Sequence, residues 1–528
     1  MTGQRASARE IGLAAALLLL VGVVVYGPYV VDGGFTIDDW SHAAGAAYLG
    51  DDLLSHYWAA TSNRPVLVGY VPLTHLVFGP NPWLHNAWSI VLAVAMATAL
   101  YAVLRRVAIR PVHAGAIALL VLLFPWSDAA RFWATASHIN LSIAMGLAGI
   151  LLALRGLDAR AAGRGGWALH AAALVLYALS VLTYEIAGLV LLFAGALYLT
   201  RLEWPVVRLR WAADIAVIVP CLAWNALRAD RVGSSVAEMR DHADAIADGG
   251  ATVLALAAMP FGSVGRQAIL TGLVAVVVAA AVVRALMPAH DEARPVLGRW
   301  LTIVAAGLLV VVAGWILYVP ADAYYNPASA GAGNRVNVMA AIGIVIAVYG
   351  AFVLLSTLLW RGLPHWRRLA VATSAALAIV IALGYADDVR KDRQVWVRAS
   401  ASADRALAAI EKALPDPPAG STIYTFGYPG GEAPGITIFG YTWDLVGAIR
   451  LTYDDPSLAG YPMLGATQID CGRDGLAPIG PGWTGAQLAR YGSAYFVDVP
   501  SGRTKRIDSR RECLAARPYF VPGPPVRP

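Results

Sequence analysis

The chain has 528 residues, of which 58% are hydrophobic and 14% charged, with a formal net charge of +6 and a mean hydropathy of +0.60. A water-soluble fold of this size carries far more charge, so the composition excludes a soluble globular protein. The positive balance gives no reason to invoke nucleic acid, because the arginines fall where membrane topology would put them.

A helix needs about 20 apolar residues to cross the hydrocarbon. Such runs recur near 11–31, 83–104, 111–127, 133–154, 167–184, 186–200, 211–228, 267–287, 300–319, 336–360 and 369–386, which predicts a polytopic α-helical membrane protein of about eleven spans. The first run is long and no small-residue cleavage site stands out after it, so it reads as a span rather than a removable leader.

Just past that run, in FTIDDW, stand Asp38 and Asp39. Adjacent carboxylates are costly beside lipid and often mark chemistry or ion binding, although a solvated acidic loop end reads the same way. The loop 32–82 is too long for a simple connection. Within it Trp40, Ala43, Ala47, Leu54 and Trp58 recur at helical spacing, which predicts an amphipathic helix in the membrane interface. Trp40, Tyr57 and Trp58 read as packing and anchoring residues. The stretch 66–79 is apolar but short, and it contains Gly69, Pro72 and His75. As a span it would reverse every later loop, so it reads as an interfacial or re-entrant helix.

With the N-terminus inside, each inner loop carries an arginine cluster: Arg5 and Arg9, then Arg105, Arg106 and Arg110, then Arg155, Arg160 and Arg164, and so on to Arg361, Arg367 and Arg368. Outer loops hold scattered arginines mixed with acids. The outer loop 229–266 predicts a short helix over SVAEMRDHADAIADGG, and 318–335 reads as an irregular loop. Lysine occurs only at Lys391, Lys412 and Lys505, a bias to arginine that hints at a GC-rich bacterial genome and so at a bacterial plasma membrane.

After the last run, 387–414 reads as a charged helix leaving the membrane and ended by PDPPAG. STIYTFGYP, GITIFGYTW, AIRLTYDD and SAYFVDV alternate like strands, with SGRTKRID as a hairpin tip. The chain therefore divides into a transmembrane part, 1–386, and a small α+β domain, 387–528. An odd number of spans places that domain outside. There Cys471 and Cys513 read as one disulfide, the alternative being two free thiols in a cytosolic tail.

The candidate site residues lie at outer helix ends: Asp38, Asp39, Arg64 in TSNRP, Arg131 in DAARFW, His138 in TASHIN, Glu185 in LTYE and Arg335 in AGNRV. Arg131 and His138 are seven apart, which predicts a shared helix face pointing into one cleft. Each has a plainer reading. Arg64 before Pro65 can anchor a helix, His138 can be packing, Glu185 can cap or pair an arginine, and Arg335 can snorkel. The two aspartates with Glu185 can alternatively hold a divalent cation through oxygen. No nucleophile signature, phosphate-cradling Gly loop or zinc-spaced cluster is present. Tyr441, Trp443 and Tyr453 either stack on sugar or fill the core of the outer domain.

The order of these features resembles the GT-C class of membrane glycosyltransferases, which includes protein O-mannosyltransferases and aminoarabinose transferases. The resemblance rests on FTIDDW, on NRPVLVGYVPLTHLVFGPNPWLHNAW and on LTYEIAGLVLL, covering roughly 10–230. The class usually carries an Asp-Glu or similar pair in the first loop; here Asp-Asp precedes Trp, which leaves open which carboxylate acts. The resemblance implies a sugar donor on a polyprenyl phosphate and an acceptor in the cell envelope, joined at the outer face. It implies Asp38 or Asp39 as the base, and Arg64, Arg131, Arg335 and His138 around the donor phosphate. Glu185 would support them, with a divalent cation left open. A lipid-linked glycan flippase and a non-catalytic assembly factor are the alternatives.

Overall fold

The computed structural model describes residues 6–229, 235–260, 292–321, 325–480 and 488–525, and the run near 267–287 lies outside them. Helices are numbered here in chain order over these residues. Six are long and apolar enough to cross a membrane: α1 (Ala8–Asp32), α5 (Pro82–Arg106), α8 (His138–Ala161), α14 (Arg294–Ile316), α15 (Val338–Trp360) and α16 (Trp366–Ala413). Between them run the shorter α6 (Pro111–Leu123) and α9 (Trp167–Thr183), and α12 (Trp204–Arg228). The run 186–200 forms no single helix; it is broken into α10 (Gly188–Leu192) and α11 (Ala194–Tyr198), with the backbone leaving helical angles at Phe193.

The bundle is ordered by packing of α1 on α5, α5 on α8, α8 on α9, and α14 on α15. One end is tied by charge. Arg105 bonds Glu10 at 2.6 Å, Arg106 and Arg201 meet Asp158, and Arg299 donates to the Ala108 carbonyl at 2.8 Å. The arginine clusters assigned to inner loops thus gather on one side. Backbone groups of the broken outer connections are satisfied by buried amides. Asn334 donates to Asp128 at 2.7 Å and accepts from the Ala129 N–H at 3.0 Å, while Asn337 donates to Trp126 and Ala328 carbonyls at 2.7 and 2.8 Å.

The first outer loop differs from the single amphipathic helix its spacing predicts. It forms α2 (Asp38–Tyr48) and α3 (Leu53–Thr61), broken at Gly50, whose φ of +50° is a left-handed turn that glycine adopts without strain. Then α4 (Pro65–Phe78) exposes an apolar edge, with Leu76 82% accessible. That suits a helix lying in the interface. The second outer loop holds α13 (Val236–Ala258), longer than predicted and started by a reciprocal Ser235–Glu238 capping box.

Helix α16 is one unbroken element of 48 residues. Its apolar part ends near Ala386, and the charged remainder carries a domain with the sheet order β2-β1-β3-β4. Here β1 (Thr422–Phe426) runs parallel to β2 (Ala459–Pro462) and β3 (Ala494–Asp498), and β4 (Arg503–Ile507) closes a hairpin with β3. AIRLTYDD forms no strand: it lies largely within α17 (Thr442–Tyr453). Leu445, Ala448 and Ile449 are buried at i, i+3 and i+4, a helical period that outweighs the alternation. Cys471 and Cys513 form a disulfide across 42 residues. Tyr453 and Thr504 bond the carbonyls at the end of α16 at 2.7 and 3.0 Å, fixing the domain to its helix.

Candidate active site

The two adjacent aspartates diverge at once. Ile37, buried, takes φ +50° and ψ −123°, an unfavourable backbone for a β-branched residue, and α2 begins directly after it. Asp39 turns inward and Asp38 stays part-exposed.

Asp39 is fully engaged. Its Oδ2 accepts from Thr36 N–H at 3.0 Å, and its Oδ1 accepts from Thr135 N–H at 2.8 Å and the Thr135 hydroxyl at 2.5 Å. Burial pushes its carboxyl up to about 6, and those hydrogen bonds pull the other way. Thr135 in turn accepts from His138 through its carbonyl. Asp39 therefore clamps α2 to the entry of α8.

Asp38 is only half engaged. Its Oδ1 accepts from the Trp443 indole N–H at 2.8 Å, a contact 405 residues away in sequence. Among the described residues no donor is bonded to its Oδ2. The outer domain reaches it because α17 lies on α2: Tyr48 donates to the Arg450 carbonyl at 3.1 Å and to Asp454 at 2.9 Å. A Cβ on Gly447 would stand 2.5 Å from the Trp40 carbonyl, so this approach requires glycine. Asp444 is buried near Asp38, accepting from the Tyr441 and Leu445 N–H groups, and burial raises its carboxyl well above the ordinary range.

His42, one helical turn beyond Asp38, bonds Tyr57 at 2.9 Å. Burial lowers the affinity of its ring for a proton, while the charge of Asp38 opposes that shift. His42 lies close enough to His138 for the two to interact, and His138 also feels Arg64. Electrostatic influence thus reaches His42 from Asp38, and His138 from His42 and Arg64.

Arg64 and Arg228 line a cavity of about 610 Å³ together with Glu185, Asn225, Tyr318 and Tyr325, among others. Arg64 donates Nε and Nη2 to Glu185 at 2.9 and 2.7 Å and lies 4.1 Å from the centre of the Tyr184 ring. Burial alone would raise Glu185, but the charge and hydrogen bonds of Arg64 outweigh it and hold the carboxyl below its usual value. Arg335 is buried, donates to the Ala332 carbonyl at 2.7 Å, and stacks over Trp133 and Tyr325 at 5.3 and 5.2 Å. Arg228 sits over Trp224 at 4.8 Å.

Arg131 stands apart from this group. It is buried and donates to the Val121 and Phe124 carbonyls at 3.1 and 3.3 Å, closing the end of α6. It shares no helix with His138, because the short α7 (Ala129–Phe132) ends at an extended Trp133 before α8 starts. Of the three acids offered as cation ligands, Asp39 is bonded to Thr36 and Thr135, and Glu185 to Arg64. Among the described residues no group of three or more His, Cys, Asp or Glu is arranged to hold a metal ion.

Sequence reasoning passed over His42 and Arg228 as site residues and left Trp443 undecided. The i, i+4 spacing of Asp38 and His42 was the available signal for the first.

No family model matches the sequence, and no curated protein matches it. Solved structures are similar. One is ArnT from Cupriavidus metallidurans in the apo state, at 15% identity and a TM-score of 0.36, covering 85% of each chain. The same protein bound to undecaprenyl phosphate gives 15% identity and 0.34, covering 85% of this chain and 86% of that one. The Archaeoglobus fulgidus oligosaccharyltransferase in the apo form gives 12% identity and 0.38, covering 84% of this chain and 64% of its own. Identities this low assign no residue a role.

Proposed function

We propose that this chain is a membrane glycosyltransferase that moves a sugar from a polyprenyl-phosphate donor to a hydroxyl of a cell-envelope acceptor. One observation carries the reading: Asp39 is held by Thr135, while the part-exposed Asp38 next to it accepts from Trp443 through Oδ1 and has no donor on Oδ2 among the described residues. Asp38 Oδ2 takes the proton of the acceptor hydroxyl as its oxygen bonds the anomeric carbon. The bond from that carbon to the phosphate oxygen breaks, and negative charge grows on the departing lipid phosphate. Arg64, Arg228 and Arg335 meet that charge, with His138 beside them. Arg64 spends its Nε hydrogen and one Nη2 hydrogen on Glu185, so both Nη1 hydrogens and the second on Nη2 remain as donors. Arg131 is read as a structural clamp of α6 and Asp39 as a positioning residue.

The reading places the reaction at the outer face of a bacterial plasma membrane, with the N-terminus inside. The disulfide in the outer domain suits an oxidising compartment. No divalent cation has a step in it.

The test uses the full chain in nanodiscs with labelled polyprenyl-phosphate sugar and envelope acceptors. Label should appear on an acceptor, and Asp38→Asn should lower the rate about 100-fold or more with the protein still folded. Undiminished transfer by Asp38→Asn removes the assigned base. Movement of the lipid across vesicles with no covalent product would support transport instead.

A further inference from the structure

The outer domain brings more than a lid to Asp38. Tyr441 and Trp443 lie face to face, with ring centroids 4.6 Å apart and planes 6° from parallel. The stack covers one face of the indole, yet Trp443 remains 49% accessible. Its N–H is committed to Asp38 Oδ1 at 2.8 Å. A large flat apolar surface is thus held open and rigid with one edge against the carboxylate.

We infer that Trp443, backed by Tyr441, is a stacking platform for a saccharide ring of the acceptor, which makes the acceptor a glycan. The inference rests on the glycosyl-transfer reading and names the substrate class of that site. The C–H groups of one face of a pyranose or furanose meet the electron-rich face of an aromatic ring favourably, as other positive edges do. A ring resting there sits about 3.5–4.0 Å above the indole. Hydroxyls at its rim then overhang the edge occupied by Asp38, whose Oδ2 is the acceptor for the reacting proton. Two observations set this shelf apart from an interfacial anchor: the indole N–H points to Asp38, and the ring is already paired with Tyr441. The shelf is bordered by the helices α2 and α17 rather than by a strand edge on which an extended peptide would pair.

The test measures binding separately from transfer. Wild-type protein in nanodiscs is examined by saturation-transfer NMR with di- to tetrasaccharides cut from bacterial envelope polysaccharides, and with Ser- and Thr-containing peptides. Ring C–H protons of at least one saccharide should take up saturation. Affinity should fall about tenfold in Trp443→Ala and be partly retained in Trp443→Phe, which keeps an aromatic face but loses the N–H. Asp38→Asn should bind the saccharide normally while failing to transfer, which separates the shelf from the base. Saccharide binding without transfer in the wild type would sustain the shelf and sink the enzymatic reading. The platform is overturned by equal affinity in Trp443→Ala, by binding of peptides alone, or by no binding from the panel.

Discussion

The two ends of the helical bundle use arginine differently. At the end that gathers Arg105, Arg106 and Arg201, guanidinium groups are spent on Glu10 and Asp158, and they join helix ends to one another. At the other end Arg64, Arg228 and Arg335 lie over Tyr184, Trp224, Trp133 and Tyr325. A carboxylate partner consumes both charge and donors, whereas a ring face orients the guanidinium and leaves its N–H edge to an anion. Arg64 also grips an acid, Glu185, and that pair is the hinge of the contrast.

Breaking the pair should have the largest effect. Arg64→Ala strands a shielded Glu185 and should cost about 3–4 kcal/mol in reversible unfolding, much of it recovered in Arg64→Ala/Glu185→Ala. If the double variant is no more stable than the single one, Glu185 is held by something other than Arg64. Second comes pH. The folded-state value of Asp39 lies near 6, above its ordinary 3.8, so the folded protein holds that proton more tightly than the unfolded chain. Its contribution is full below about 4 and is lost as pH rises through about 6, a fall of about 2–3 kcal/mol. Melting temperatures recorded from pH 4 to 8 should show that slope, and Asp39→Asn should lack it. Third, Gly447→Val drives a side chain into the Trp40 carbonyl and should cost about 2 kcal/mol. Hydrogen exchange should then quicken in α2 and α17 but not in α14 or α15. Smallest is Arg105→Gln at the opposite end, about 1 kcal/mol, because Glu10 remains partly in water. A loss there as large as that of Arg64→Ala would erase the distinction between the ends.

The spans were largely legible because an apolar run is a property of consecutive residues. The exceptions turn on single backbone angles. Gly50 splits the interfacial helix, and the extended Trp133 separates Arg131 from His138, neither of which a periodicity count can register. The acid pair was visible, but its division of labour was not. A positive φ at Ile37 decides which carboxylate is buried, and Thr135, 96 residues away, decides what the buried one does. Arg64 with Glu185 was open in the sequence as an arginine–acid pairing without a named partner. Trp443 against Asp38 could not be found by spacing at all, because docking of two separately formed helices creates it.

The unbroken course of α16 has a mechanical consequence. At about 1.5 Å per residue its 48 residues make a rod of about 70 Å, rooted in the bilayer and carrying the outer domain at its tip. No joint lets that domain nod away from the membrane on its own stalk.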